Sequence, residues 1–251
     1  MAKITLPSPS HIQSLLQKSK AGTPVGAEEL RWLAPLIDHT LLKPDATEEQ
    51  VRQLCAEALH FGFATVCVYP KFLPLCGELL AGSAVLPIAV IGFPTGKEST
   101  EQKVSEAKDA VAKGAKEIDM VLNTDLLKAR FLRPVYGDIR KVVQAAGQVP
   151  VKVILETCLL SNEEKILACA LAKASGAAFV KTSTGFAANG ATVADIALMR
   201  AAVGSDMGVK ASGGIRSTEN ALEMILAGAD RLGASASVAI VGGKSETGAG
   251  Y

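Results

Sequence analysis

The chain repeats one pattern: a short apolar run, a small-residue turn, then a longer amphipathic segment. Runs of strand character cover residues 36–42, 64–69, 86–93, 117–123, 150–157, 178–184, 207–213 and 231–236. Helical periodicity fills, among others, 47–60, 100–113, 161–174, 191–202 and 217–227. Several of these segments open on Ser or Thr and stop at a glycine (Gly62, Gly114, Gly176, Gly204, Gly228), the residue types that cap and end helices. Strand-then-helix repetition calls for parallel strands joined by right-handed crossovers. Eight such units in 251 residues fit the size of a (β/α)8 barrel. The expected fold is therefore α/β, a TIM barrel with an extra N-terminal helical segment. An open doubly wound sheet is the alternative, and the absence of G-x-G-x-x-G after the first strand counts against its dinucleotide-binding form. Residues 1–35 lie outside the repeat and are expected as a helical cap on the barrel floor. Residues 242–251 are expected as a flexible tail, and no linker divides 1–251, which reads as one domain.

Strand alternation sorts the two faces. In Glu117-Ile118-Asp119-Met120-Val121-Leu122-Asn123 the apolar set Ile118, Met120 and Leu122 belongs against helices, so Asp119, Val121 and Asn123 point inward. In 151–156, Lys152, Ile154 and Glu156 point inward by the same rule; Cys67 does so in 65–69, and Asp38 and Thr40 in 37–41. Lys181 and Lys210 end apolar runs at corresponding points, 29 residues apart, about one βα repeat. Both ammonium groups are expected inside, at the same end of the sheet. Buried ammonium groups side by side lower each other's pKa, and an easily deprotonated lysine is what amine-nucleophile chemistry needs.

Plainer readings stand beside these. Lys152 fits a snorkelling strand-end residue or a structural ion pair as well as a site residue. Asp119 alone fits a buried acid that ties loops together, Glu156 fits a structural role, and Asp38 and Thr40 fit loop caps. Cys67 has no evident histidine partner and reads as a small buried hydrophobe. It is the combination of Lys181, Lys210 and Asp119 on neighbouring strands that exceeds what packing needs.

Gly213-Gly214-Ile215-Arg216-Ser217 leads straight into a helical run, and Gly233-Ala234-Ser235 follows one strand later. Paired glycines expose N–H groups, and a helix start adds its dipole. Phosphate sites in (β/α)8 barrels commonly use the loops after strands 7 and 8, so Gly213, Gly214, Ile215, Gly233 and Ser235 are candidate anion ligands. A glycine-rich turn needed only for tight packing is the plain alternative.

Net charge is +1 and aromatic residues are 4% of the chain, which gives neither a basic field nor a stacking platform for nucleic acid. No apolar run approaches the roughly 20 residues of a membrane helix, so no membrane partner is expected. Five cysteines without C-x-x-C and three scattered histidines, His11, His39 and His60, predict a reduced, cytoplasmic protein with no metal site and no cofactor.

Five segments together resemble the class I (Schiff-base) deoxyribose-phosphate aldolase family. They are Asp38-His39-Thr40-Leu41-Leu42, Val66-Cys67-Val68-Tyr69-Pro70, Glu117 to Asn123, Lys181-Thr182-Ser183-Thr184-Gly185, and Lys210-Ala211-Ser212-Gly213-Gly214-Ile215-Arg216. The resemblance implies reversible cleavage of 2-deoxy-D-ribose 5-phosphate to acetaldehyde and glyceraldehyde 3-phosphate, with Lys181 forming the Schiff base and Lys210 and Asp119 handling protons. Asp38, Thr40, Cys67, Thr182 and Gly185 join the glycine turns as expected substrate contacts. The expected partner is a phosphosugar, and the expected assembly a homo-oligomer, dimer or tetramer. Some relatives carry a phosphate-holding lysine after the Lys-Thr-Ser-Thr-Gly motif; here that position is Phe186, which predicts phosphate contact through backbone groups. The terminal Tyr251 resembles a tyrosine that assists proton transfer in the family. Another Schiff-base lyase, such as a transaldolase-like enzyme, and a non-catalytic phosphosugar-binding barrel are the alternative readings.

Overall fold

The structure is a computed structural model that describes residues 6–243. Its eight strands are β1 (Ile37–Thr40), β2 (Thr65–Val68), β3 (Leu86–Ile91), β4 (Glu117–Val121), β5 (Val151–Ile154), β6 (Phe179–Lys181), β7 (Gly208–Ser212) and β8 (Arg231–Ala234). They pair in chain order, all parallel, and β8 returns to β1, so the sheet is a closed barrel. The open-sheet alternative is thereby excluded. All eight expected strands are present, each shorter than its expected run, and β6 ends already at Lys181. Thr182 to Thr184 leave the strand because they shape the loop above it.

Two helices precede the barrel, α1 (Pro9–Lys20) and α2 (Ala27–Leu30). The outer helices follow: α3 (Glu48–Phe61), α4 (Leu73–Leu79), α5 (Thr100–Ala112), α6 (Thr124–Lys128), α7 (Leu132–Ala146), α8 (Asn162–Ala174), α9 (Val193–Val203), α10 (Thr218–Leu226) and α11 (Ser237–Val241). Side chains start most of the long ones. Thr47, Ser99 and Ser161 accept from the N3 amide of α3, α5 and α8, and a Gln or Glu at N3 bonds back to the cap. Gly62 ends α3 in the left-handed region at φ 71°, where a Cβ is penalised.

The described part of the N-terminal segment is helical. Helix α1 packs against α10, with Lys20 Nζ 2.7 Å from Glu223, and a short 3-10 turn, Arg31–Leu36, leads into β1. Of the expected tail, Gly242 and Gly243 are described and Lys244 to Tyr251 lie outside the described residues.

The apolar core forms two bodies. The larger lies between barrel and helices and takes the outward strand residues, among them Ile37, Val66, Ile118, Met120, Val153, Val180, Val209 and Leu232. The smaller, Leu42, Cys67, Ile88 and Val90, lies inside the barrel on the β1–β3 side, under Tyr69 and Phe93. Each fully buried aliphatic side chain contributes roughly 1.5–3 kcal/mol.

One buried ion pair ties the outer ring to the site. Lys103 of α5 is completely buried; its Nζ donates to Asp138 Oδ2 of α7 at 2.8 Å and to the Val121 carbonyl at 3.1 Å, at the upper end of β4. Removing one partner of a buried pair costs about 3–5 kcal/mol. Asp138→Ala is therefore expected to lower unfolding free energy by that amount in urea titration; a loss under about 1 kcal/mol would show that Lys103 finds another partner.

Candidate active site

The strand register brings the inward charges together. Asp119 pairs with Lys152 across β4–β5, Lys181 with Lys210 across β6–β7, and Lys210 with Arg231 across β7–β8. Asp119 is the hub. Its Oδ2 accepts from Lys181 Nζ at 2.9 Å and from Lys210 Nζ at 2.8 Å, and its Oδ1 accepts from Lys152 Nζ at 2.9 Å. Asp38 stands behind Lys210: its Oδ2 is 2.5 Å from Lys210 Nζ and its Oδ1 2.6 Å from Arg231. Glu117 completes the set, bonded to Lys152 and 3.4 Å from Arg231. All seven residues are buried.

Within this set four bases meet three acids, and the excess decides who carries a proton. Burial alone would push the Asp119 carboxyl up; Lys152, Lys181 and Lys210 overcome that and hold it well below the usual carboxylate range. Burial pulls all three ammonium groups down. At Lys210 the carboxylates of Asp119 and Asp38 more than offset it, and at Lys152 they do so again, so both are raised. At Lys181 burial wins: among the described residues Asp119 alone pairs with it directly, the Lys210 charge repels it, and its pKa falls below the ordinary lysine value. The amine that loses its proton first is thus Lys181, beside an ammonium that keeps its own.

The five expected anion ligands and Gly185, an expected substrate contact, meet in one place. Gly185, Gly213, Gly214, Ile215, Gly233 and Ser235 line a small pocket of about 50 Å³ above β6–β8. Gly213 (φ 84°) and Gly214 (φ 76°) both need the left-handed region. Arg216 lines the same pocket, next to the backbone groups expected at this end. Phe186 lines a separate cleft of about 260 Å³ with Lys97, Asp125 and Glu156, its ring edge-on to Phe93 at 5.2 Å.

Other expected contacts are engaged elsewhere. The hydroxyl of Thr182 donates to the Ser212 carbonyl at 2.9 Å and accepts from the Ser212 amide at 3.0 Å, so it fixes the backbone of the neighbouring strand. Asp38 grips Lys210 and Arg231, and Thr40 donates to the Asp38 carbonyl at 2.8 Å, so both shape the charge cluster. Cys67 belongs to the inner apolar body, where burial pushes its thiol up to about 11. Asn123, inward by alternation, caps α6 by accepting from Leu126 N at 3.0 Å. Glu156 accepts from the Thr184 hydroxyl at 2.5 Å, and burial raises its carboxyl. Tyr251 lies outside the described residues.

Glu117 and Arg231 were absent from the expected site. Each opens its strand, where a lone charge reads as reaching for solvent. The available signal was parity, since Glu117 is two residues from Asp119 and Arg231 two from Gly233.

The match to known proteins follows this geometry. Residues 33–249 match the model of the DeoC/LacD family aldolases. The chain belongs to that family. Deoxyribose-phosphate aldolase of Brevibacillus brevis is 56% identical over 215 residues, 86% of this chain and 97% of that protein; the Lysinibacillus sphaericus enzyme of the same name is 57% identical over 211 residues, 84% and 95% of the two chains. Among solved structures, the tetrameric deoxyribose phosphate aldolase of Aeropyrum pernix superposes with a TM-score of 0.78 at 35% identity, covering 94% of this chain and 97% of that one. Among the described residues, no cluster of three His, Cys, Asp or Glu offers a metal site, and no helix is long and apolar enough to cross a membrane.

The charge assignment has a direct check. In reductive methylation across a pH series, read by peptide mass, Lys181 is expected to react at lower pH than Lys210 and Lys152. Equal onset for the three would contradict the assignment.

Proposed function

We infer that this protein is a class I aldolase that reversibly cleaves 2-deoxy-D-ribose 5-phosphate to acetaldehyde and D-glyceraldehyde 3-phosphate through a Schiff base on Lys181. The observation that carries the reading is the pair of lysines sharing Asp119 Oδ2, at 2.9 and 2.8 Å, only one of which has its pKa lowered. The family and the name carried by its relatives agree with it.

In the synthetic direction the neutral Lys181 amine attacks the acetaldehyde carbonyl, and the carbinolamine loses water to a protonated Schiff base. That iminium is an electron sink, so the adjacent methyl gives up a proton and an enamine forms. The enamine carbon bonds to the carbonyl carbon of glyceraldehyde 3-phosphate, whose oxygen takes a proton, and water then releases the product and returns the amine. Lys210 supplies a fixed positive charge beside the nitrogen, and Asp119, hydrogen-bonded to both lysines, is positioned to pass protons between them. The glycine pocket with Arg216 takes the phosphate at the far end of the acceptor. The apolar patch of Leu42, Cys67, Ile88 and Val90 keeps the opposite wall dry.

The A. pernix relative is a tetramer, which supports a homo-oligomeric assembly, dimer or tetramer. Five free thiols fit a cytoplasmic setting.

Borohydride reduction with acetaldehyde is expected to add one two-carbon unit, mapped to Lys181, and Lys181→Leu to abolish both that mass and retro-aldol turnover. A label on any other lysine would reject the assignment. Lys210→Met removes the neighbouring charge and leaves Asp119 Oδ2 to Lys181 alone. Both changes favour the protonated Lys181, so the acidic limb of the pH–rate profile is expected to move to higher pH. An unmoved limb would contradict the electrostatic account.

A further inference from the structure

Between the barrel lysines and the glycine pocket stands a hydroxyl that no other described residue engages. Ser212 closes β7 two residues beyond Lys210, a spacing that puts both side chains on the same face of a strand. The surroundings of Gly233 fix the direction: a Cβ built there would stand 2.9 Å from Lys210 Cε and 3.1 Å from Ser212 Oγ. Gly233 is also part of the glycine pocket wall. Ser212 Oγ therefore lies on the inner face, over Lys210 and beside the pocket. Its backbone is held on both sides by Thr182 Oγ1. The residue is only 2% exposed, and its Oγ has no hydrogen-bond partner among the described residues. A buried hydroxyl without a partner is destabilising, and such a group at a site is one that a ligand can complete.

We propose that Ser212 is a specificity-determining residue that hydrogen-bonds the hydroxyl carried by the phosphorylated acceptor on the carbon next to its aldehyde. The assignment rests on the aldolase reading above. The acceptor's carbonyl carbon has to meet the enamine on Lys181 while its phosphate occupies the glycine pocket. Between the carbonyl carbon and the phosphate-bearing carbon lies a single carbon, and its oxygen is the group that comes level with Ser212. Of the other polar side chains nearby, both Asp38 oxygens face cations, and Thr40 and Thr182 bond to backbone; Ser183 Oγ is also unpartnered, but it lies beyond the end of β6 against Gly213, whereas Ser212 shares the strand face of Lys210. A serine hydroxyl both donates and accepts, so it can pair with another hydroxyl. A site built to bond a substrate hydroxyl discriminates against the analogue that lacks it, because the protein group is then left unpaired.

The test compares two acceptors, each with acetaldehyde as donor: glyceraldehyde 3-phosphate and 3-oxopropyl phosphate, which keeps aldehyde and phosphate but lacks the hydroxyl. Wild-type enzyme is expected to favour the hydroxylated acceptor in kcat/KM by on the order of 10- to 100-fold. Ser212→Ala is expected to lose at least about tenfold of that ratio, with the loss confined to glyceraldehyde 3-phosphate. Borohydride trapping of acetaldehyde on Lys181 in the variant reports that its barrel is intact. Equal losses on both acceptors, or an unchanged ratio, overturn the assignment while leaving the aldolase reading in place. Wild-type protein that traps no acetaldehyde on Lys181 rejects the aldolase reading and this assignment with it.

Discussion

One carboxylate organises the interior of this barrel. Asp119 is wholly buried and meets three ammonium groups, each within 2.9 Å. None of those lysines is tolerable in a dry interior without an acid, and Asp119 is not tolerable without them. The arrangement also divides the lysines. Lys152 takes one oxygen and has Glu117 behind it; Lys210 shares the other oxygen and has Asp38 behind it. Lys181 shares Asp119 and has no second acid in the set. The asymmetry comes from which carboxylate backs which amine, and it makes one of three buried lysines the weak base.

That asymmetry depends on both ends of the strands. Glu117 and Arg231, the first residues of β4 and β8, hold each other and hold Lys152 and Asp38 in turn. A charged floor thus fixes the two acids that fix the two lysines. The opposite wall works by exclusion: Leu42, Ile88 and Val90 are aliphatic and the Cys67 thiol is held neutral by burial, which strengthens every interaction across the cavity. Charged and apolar walls in one barrel follow from strand order alone, since β1 to β3 contribute the apolar residues and β4 to β8 most of the charges.

Much of this was legible in the sequence because strand alternation is a strict rule. The outward sets Ile118, Met120, Leu122 and Val151, Val153 locate helix-facing surfaces, and Asp119, Lys152, Lys181 and Lys210 then have to share the interior. The glycine turns after β7 and β8 were legible for a similar reason, since residues that need positive φ leave a signature in residue type. Legibility stopped where the strands did. Thr182 follows the last residue of β6, where alternation no longer says which way a side chain turns, and its hydroxyl goes to the neighbouring backbone. Glu117 and Arg231 obeyed the parity rule, yet single charges at strand starts look like solvent-seeking ends. Only closure of the barrel shows that those ends converge on one another.

The same limit explains why Ser212 is silent in the sequence. A serine at the end of an apolar run has a plain explanation, a polar residue leading into a turn. What changes its meaning is a relation between three strands: Thr182 of the β6 end holds its backbone, Lys210 sets its face, and Gly233 of β8 leaves room beside it. A Cβ at Gly233 would stand 2.9 Å from Lys210 Cε and press on Ser212 at 3.1 Å, so a missing Cβ on β8 leaves room between the lysine and the glycine pocket. Under the proposed function the barrel places chemistry and anchoring on adjacent strands, with Lys181 at the end of β6, Lys210 on β7 and the glycine turns directly above. The distance between them is set by strand rise, about 3.3 Å per residue in a parallel sheet. The span from Lys210 to Gly213 is thus roughly 10 Å, the scale of a short phosphorylated chain joined to a two-carbon donor. In this geometry the length of the substrate is measured by the strand itself.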